Sequence, residues 1–287
     1  MFTRGRVPFA VATLVTITVT GCAQVAQGAT AQQQTTTGGA RAAQSAPTRT
    51  VYGFARPDGT GAMIISPRKV QLKSKRYQVR PLVSAKDVRV TFGRSLDYRR
   101  VTTACDLKET EGKVAIDAKG LGTTRCTDKD LSFTLGLGPV PVKVTYDPGT
   151  GAATQAREFL YAPQDPRTAF GEVTPSGAGA VVFTPYAVKR VPKTGYSFTK
   201  RSGAPVTLVY TGLTPFFRVS ATCADESFQP TNADSDGVGT LQCRNTDLAR
   251  VLGARKEMQV KLDYLPASGE IAEVREVYPC QGAQCAP

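Results

Sequence analysis

One segment of the chain stands out because it occurs twice. It reads Val142-Lys143-Val144-Thr145-Tyr146, a turn, and then Arg157-Glu158-Phe159-Leu160-Tyr161. It returns as Val260-Lys261-Leu262-Asp263-Tyr264, a turn, and then Arg275-Glu276-Val277-Tyr278. The tyrosines at the ends of the first halves are 264 − 146 = 118 residues apart, so a unit of about this length is repeated.

The duplication covers most of the chain. Cys105 and Cys223 are also 118 residues apart, whereas Cys126 and Cys243 are 117 apart, which indicates a single deletion between them. This period is longer than the 20 to 50 residues usual for solenoid repeats, and each copy is long enough to bury its own core. We therefore predict two tandem domains, repeat one at residues 51–165 and repeat two at 166–279, followed by a short tail at 280–287.

Alternating apolar residues predict strands in both repeats. Residues Val140, Val142 and Val144 lie on one face of a strand of period two, and Met258, Val260 and Leu262 do the same in repeat two. No stretch shows a long helical period, and short runs separated by Gly, Pro and Asp are typical of all-β domains. We predict an all-β fold of two tandem β-sandwiches. The immunoglobulin-like label is an analogy of architecture only, because the chain has no Trp.

The chain has seven cysteines, and because it begins with the secretory signal described in the next paragraph, they indicate an oxidising compartment. If one of them carries lipid, the other six allow fifteen pairings. Equivalent cysteines of a duplicated unit should pair equivalently, which predicts Cys105–Cys126, Cys223–Cys243 and a terminal Cys280–Cys285 loop. A metal site is the rival interpretation, and neither a C-x-x-C pair nor a histidine supports it.

The first residues are typical of a secreted protein. Arg4 and Arg6 precede an apolar run from Val7 to Val19, which is too short to span a membrane as a helix. The run ends in Val19-Thr20-Gly21-Cys22, which resembles the lipobox of bacterial lipoproteins and is similar in setting to envelope lipoproteins of actinobacteria. The resemblance implies a signal peptide at residues 1–21, a diacylated Cys22 and a location on the extracytoplasmic face of the cell membrane. An ordinary cleaved signal is the alternative.

A polar segment follows the candidate lipidation site. Up to residue 50 it consists mainly of Gln, Thr, Ala, Gly and Ser, with two arginines and no acidic residue. Such a composition cannot bury enough apolar surface to order itself. We expect residues 22–50 to form a flexible tether between the lipid and repeat one.

The positive charge of the chain is concentrated in the first half of each repeat. The net charge is +13; residues 68–100 hold eleven Lys or Arg and two Asp, and residues 186–218 hold six and no acid. Such a field attracts anionic polymers or lipid headgroups. We expect anion binding at a run of cations in repeat one, and a solubilising surface is the alternative. The candidate residues are Lys73, Lys75, Arg76 and Arg80.

A weaker signal for metal binding lies in repeat two. Asn232-x-Asp234-x-Asp236-Gly237 matches the first half of a calcium loop, in which alternating oxygens converge on the ion. The twelfth position, which should be a bidentate Glu, is Cys243. A solvated turn rich in Asx residues is therefore the preferred interpretation, and no cofactor is expected.

The absence of histidine narrows the possible chemistry. It removes Ser-His and Cys-His nucleophiles and the usual zinc sites. Ser66-Pro67-Arg68-Lys69 and Ser197-Phe198-Thr199-Lys200 spell S-x-x-K, but nothing indicates the buried helix on which that motif acts. We predict a non-enzymatic lipoprotein that binds or scaffolds. Its expected partners are the membrane, anionic envelope polymers or another envelope protein, and not nucleic acid. A cell-wall-related enzyme or enzyme inhibitor is the alternative.

Overall fold

Two similar sheets of eight strands make up the folded part of the protein. The structure is a computed structural model, and it describes residues 47–82, 85–107, 113–177, 179–191, 195–224 and 231–278. Both sheets belong to one compact unit. The prediction of an all-β fold with two copies of one unit is thereby confirmed, while the predicted domain limits stay predictions.

The first sheet contains all eight strands of repeat one. Its strand order is β3-β2-β1-β7-β8-β5-β6, with β4 paired to β2. The elements are β1 Arg49–Pro57, β2 Ala62–Lys73, β3 Arg76–Pro81, β4 Val88–Thr91, β5 Asp97–Arg100, β6 Thr124–Cys126, α1 Asp128–Leu137, β7 Val140–Tyr146 and β8 Ala153–Glu158.

The second sheet repeats this order as β11-β10-β9-β15-β16-β13-β14. Strand β12 pairs with both β10 and β16, so five strands close into a ring. Repeat one closes in the same place, where the Thr91 amide donates to the Gly151 carbonyl at 2.9 Å. The elements are β9 Arg167–Pro175, β10 Ala180–Val191, β11 Gly195–Arg201, β12 Val206–Val209, β13 Phe216–Arg218, β14 Leu241–Cys243, α2 Asn245–Arg255, β15 Met258–Leu265 and β16 Glu270–Glu276.

The closed sheets bury the alternating residues between opposing walls, as the inner faces of a sandwich do. Val140, Val142 and Val144 of β7 lie in the core of repeat one, and their equivalents on β15 lie in the core of repeat two. The two cores are separate clusters, so each repeat buries its own apolar surface.

One short helix per repeat covers the core, which the sequence analysis did not predict. Helix α1 buries Leu131, Thr134 and Leu135, and α2 buries Leu248, Val251 and Leu252. Three buried positions in ten or eleven residues are too few to give a clear helical period. Among the described residues, no helix has the length and apolarity needed to cross a membrane.

Hydrogen bonds join the two repeats through a few polar side chains. The Arg68 guanidinium donates through Nε to the Ala267 carbonyl at 2.7 Å, and the Gln164 side chain accepts from the Ala267 amide at 2.9 Å. The Gln164 amide group also donates to the Val79 carbonyl at 3.2 Å. Ala267 is buried in an aromatic-rich cluster of repeat one. The repeats therefore contact each other directly as well as through the chain.

Two of the predicted disulfides are confirmed. Cys105 is bonded to Cys126 and Cys223 to Cys243, and each bond joins the segment after β5 or β13 to the short strand β6 or β14. The Cys280–Cys285 prediction lies outside the described residues. The same holds for Cys22, the signal peptide and residues 22–46 of the tether.

Removing either disulfide should destabilise the protein by a similar amount. The two loops span 21 and 20 residues, and closing a loop of this size in the unfolded chain stabilises the native state by about 3 kcal/mol. We expect the Cys105→Ala/Cys126→Ala and Cys223→Ala/Cys243→Ala variants to lose about this much free energy of unfolding, measured by urea denaturation. Unchanged stability in either double variant would contradict the loop-entropy explanation.

Candidate functional site

The four candidate anion-binding residues lie on or at the tip of the hairpin formed by β2 and β3. Lys73 pairs with Arg76 and Lys69 pairs with Arg80 in the antiparallel register. Residues directly opposite each other in such a pair project on the same side of the sheet. The hairpin thus carries four cations on one face, which we call the cationic face. It consists of Lys69, Lys73, Arg76 and Arg80, with Gln71 and Gln78 between the two charged pairs.

Every side chain of the cationic face is exposed to solvent. Among the described residues, none of its cations has a carboxylate partner. Like charges placed directly across two strands destabilise the pairing, and this face contains two such pairs. The arrangement leaves the charges available to an anion from outside the chain.

Lys75 extends the positive charge to the turn of the hairpin. Ser74 and Lys75 have φ of 50° and 63°, the left-handed conformation that a two-residue hairpin turn of type I′ requires at both positions. Asn-Gly is the usual choice there, and residues with larger side chains cost roughly 1 to 2 kcal/mol each in this conformation. A lysine therefore stands at the tip where a glycine would relieve strain.

The opposite face of the hairpin is apolar and holds it in place. Tyr77 and Val79 are buried in a cluster with Phe54, Leu121 and Phe159. The Tyr77 hydroxyl donates to the Lys119 carbonyl at 2.7 Å, and its amide donates to the Leu160 carbonyl at 2.8 Å. Because this face is fixed to the rest of repeat one, the cationic face must point towards solvent.

Repeat two shares the excess of charge but not this arrangement. The positions of Lys69, Gln71 and Lys73 are taken by Ala187, Lys189 and Val191, each 118 residues later.

Several other cations of residues 68–100 form ion pairs inside repeat one. Arg89 pairs with Asp58, Arg99 with Asp97 and Arg100 with Glu158.

A buried ion pair is the most enclosed charged group of repeat one. Arg100 and Glu158 are 2% and 3% exposed, with Nε and Oε1 2.8 Å apart. The carboxylate also accepts from the Tyr98 hydroxyl at 2.6 Å and from the Val101 amide at 2.9 Å. Burial and this carboxylate raise the pKa of Tyr98, so its phenol stays protonated and donates.

Repeat two satisfies the equivalent carboxylate in a different way. Glu276 accepts from Arg218 at 3.2 Å and from the Val219 amide at 3.1 Å, as in repeat one. Phe216 replaces the tyrosine, and the missing donor is supplied by Arg255 at the end of α2. In repeat one, the position equivalent to Arg255 is Gly138, 117 residues earlier. Gly138 lines a cavity of about 430 Å³, and Arg100 and Glu158 line the same cavity. These buried groups were not predicted from the sequence, although Arg157-Glu158 and Arg275-Glu276 are in the repeated segment.

The weak calcium candidates take part in a turn. The Asp234 carboxylate accepts from the amides of Asp236 and Val238 at 2.8 and 2.9 Å. Asp236 forms an ion pair with Arg190, and the Asn232 amide group donates to the Ser220 carbonyl at 2.8 Å. Asp117 of repeat one accepts from two amides in the same way as Asp234. Asp234 thus forms an Asx turn, while Asp236 and Asn232 contact residues outside the turn.

The S-x-x-K motifs lie on strands. Ser66 and Lys69 belong to β2, and Ser197 and Lys200 belong to β11. Residues three apart in a strand point to opposite faces, so the serine and lysine of a regular strand do not meet. The Ser66 hydroxyl donates instead to Asp87 at 2.9 Å.

A tyrosine hydroxyl, as in repeat one, should partly replace the Arg255 guanidinium as hydrogen-bond donor to the buried carboxylate of repeat two. Arg255→Ala should lower the free energy of unfolding by about 1.5 to 3 kcal/mol, because Glu276 loses a charge-assisted hydrogen bond. Phe216→Tyr in that background copies the tyrosine of repeat one and should recover part of the loss. Urea denaturation of the wild type, both single variants and the double variant measures the coupling. Strictly additive effects would show that the tyrosine hydroxyl does not replace the arginine.

Comparison with known proteins identifies no relative of this chain. No protein-family model, no curated protein and no solved structure matches it. The geometry of the hairpin, the buried ion pairs and the cavities is therefore the basis for the function proposed below.

Proposed function

We propose that the chain is a lipid-anchored envelope protein without enzymatic activity, whose β2–β3 hairpin binds anionic lipid headgroups at the membrane surface. The cationic face carries this proposal. It places two pairs of like charges directly opposite each other, exposed and without carboxylate partners among the described residues. Such a face costs stability unless an anion neutralises it.

An exposed apolar side chain next to the cationic face favours a membrane over a soluble anion. Leu82, two residues after Arg80, is 45% exposed, whereas Leu72 is 43% exposed but pairs with Tyr77 and projects from the opposite face of the hairpin. Basic residues flanked by exposed leucine are typical of segments that lie at a lipid interface, where the cations meet headgroups and the apolar groups enter the acyl boundary. The predicted lipid on Cys22 would hold the hairpin within reach of that surface.

Reversing the charge of the candidate residues should abolish binding to anionic membranes. Each cation near an anionic surface contributes about 1 kcal/mol, so Lys73→Glu, Lys75→Glu, Arg76→Glu and Arg80→Glu together should weaken binding on the order of a hundredfold or more. The measurement is co-sedimentation of the chain from Ala23 to Pro287 with vesicles of phosphatidylglycerol and phosphatidylcholine. Wild-type binding should fall as salt rises, because exposed charges are screened beyond about 8 Å at physiological ionic strength.

A matched control separates the hairpin from net charge. Reversal of four exposed cations outside the hairpin changes the net charge equally and should weaken vesicle binding far less. Suitable positions are Arg94, Lys113, Arg125 and Lys129. Equal losses in the two quadruple variants would overturn the hairpin as the site. Salt-sensitive binding to a phosphate-rich wall polymer but not to vesicles would identify the polymer as the ligand instead.

The lipid anchor has its own test. Cys22→Ser should move the protein from the membrane fraction to the soluble fraction of cells that express the full chain, because the acylated thiol is lost. Mass spectrometry of the wild type should find a mature protein that begins at an acylated Cys22. A different amino terminus with an unmodified Cys22 would contradict the lipoprotein assignment and leave the hairpin proposal to its own experiment.

A further inference from the structure

A second cavity lies where the two repeats meet. Its volume is about 550 Å³, within the range of typical small-molecule sites. The last turn of α1 and one face of α2 form part of its wall, together with residues at the ends of β1, β9 and β12. Leu135, Val209 and Leu252 supply apolar surface. The cavity is separate from the cationic face, none of whose residues lines it.

Two helix glycines line this cavity. Gly136 belongs to α1 and Gly253 to α2, and both line the cavity. A glycine inside a helix destabilises it relative to alanine. A Cβ atom added at either position would meet no other atom within 4 Å, so packing does not require the glycines. Both glycines are exposed, and a large side chain at either position would narrow the space that the two helices line.

One residue of the cavity lining carries a formal charge. Among the described residues that line it, Arg56 is the only charged one. Its Nη2 pairs with Asp87 at 3.2 Å, while neither Nε nor Nη1 has an acceptor in the described part of the chain. Burial raises the pKa of Tyr210, which keeps that phenol protonated.

The first turn of α2 adds donors to the same wall. In α1 the Thr127 hydroxyl accepts from the Asp130 amide at 3.3 Å, but Arg244 stands at the equivalent position of α2 and offers no acceptor. The amides of Asn245 and Thr246, two cavity residues, have no acceptor within the described residues. An anion is favoured at such a helix end.

We propose that this cavity binds a small amphipathic molecule with an apolar body and one anionic head group, such as a fatty carboxylate. The head lies at Arg56, the one charged group of the lining, and the apolar body lies against Leu135, Val209 and Leu252. This site is independent of the hairpin and of the lipid anchor.

Fluorescence of cis-parinaric acid tests the proposal on the chain from Ala23 to Pro287, which keeps all the strands and helices of the described residues. The probe should bind the wild type at one site per chain, and Gly253→Leu should weaken binding at least tenfold by filling the cavity. Ala254→Leu is the matched control, because the next residue of α2 is exposed and does not line the cavity. Equal affinities of the two leucine variants would overturn the site, as would an absence of binding to the wild type.

The position of the head group is tested by removing one charge from the protein and one from the ligand. Arg56→Gln should weaken binding of the carboxylate at least tenfold but leave the affinity for its methyl ester unchanged. Gly136→Leu fills the cavity from the other helix and should reproduce the loss if Gly253→Leu fails to fold. The four-fold charge reversal of the hairpin should bind the probe as the wild type does. Loss of probe binding in that variant would place the molecule on the hairpin and contradict the cavity.

Discussion

The buried carboxylate at the end of β8, and its copy at the end of β16, is the constraint on which each repeat depends. Glu158 joins its own strand to β5 through Tyr98, Arg100 and the Val101 amide. The same arginine donates to the carbonyls of Cys105 and Leu107, so the carboxylate also positions the disulfide-bonded segment. A buried charge that loses its partners costs several kcal/mol, so these elements have to close around it together.

Comparing the two repeats shows which partners of the buried carboxylate are the same in both copies and which differ. Both copies keep the arginine, the glutamate and the backbone amide, and only the third donor differs. The tyrosine of repeat one comes from a neighbouring strand, whereas Arg255 of repeat two comes from the helix. Gly138 in place of an arginine leaves a cavity beside the ion pair in repeat one. The two copies have thus diverged in the third donor, while the buried carboxylate of each copy still accepts hydrogen bonds from an arginine and a backbone amide.

The surfaces proposed to bind ligands lie where the two copies differ or meet. The cationic face exists because Lys69, Lys73, Arg76 and Arg80 coincide in register on one hairpin, and none of the positions 118 residues later in repeat two is a lysine or arginine. The cavity lined by Gly136 and Gly253 is formed by one helix from each repeat. The cationic face belongs to repeat one and the cavity to both repeats, so neither proposed surface is duplicated with the repeated unit.

Local pattern was enough for the architecture and for the two disulfides within the repeats. Period-two alternation in β7 and β15 predicts strands because side chains of a strand alternate between two faces, and the constant spacing of cysteines predicts equivalent disulfides. The short helices were missed because a helix with three buried residues is held by tertiary packing more than by its own periodicity. The run of basic residues named four ligand candidates, but charge along a chain does not tell which side chains share a face.

Strand register and the docking of the two repeats could come only from the tertiary structure. Register pairs Lys73 with Arg76 and turns the apolar side of the hairpin inward, and it also assigns Arg89, Arg99 and Arg100 to internal partners. The buried ion pairs and the cavity join residues far apart in sequence, whose approach depends on closure of the whole sheet. The amino-acid sequence therefore determined a duplicated, disulfide-bonded all-β chain, while three-dimensional packing decided which of its charges and cavities remain accessible to a ligand.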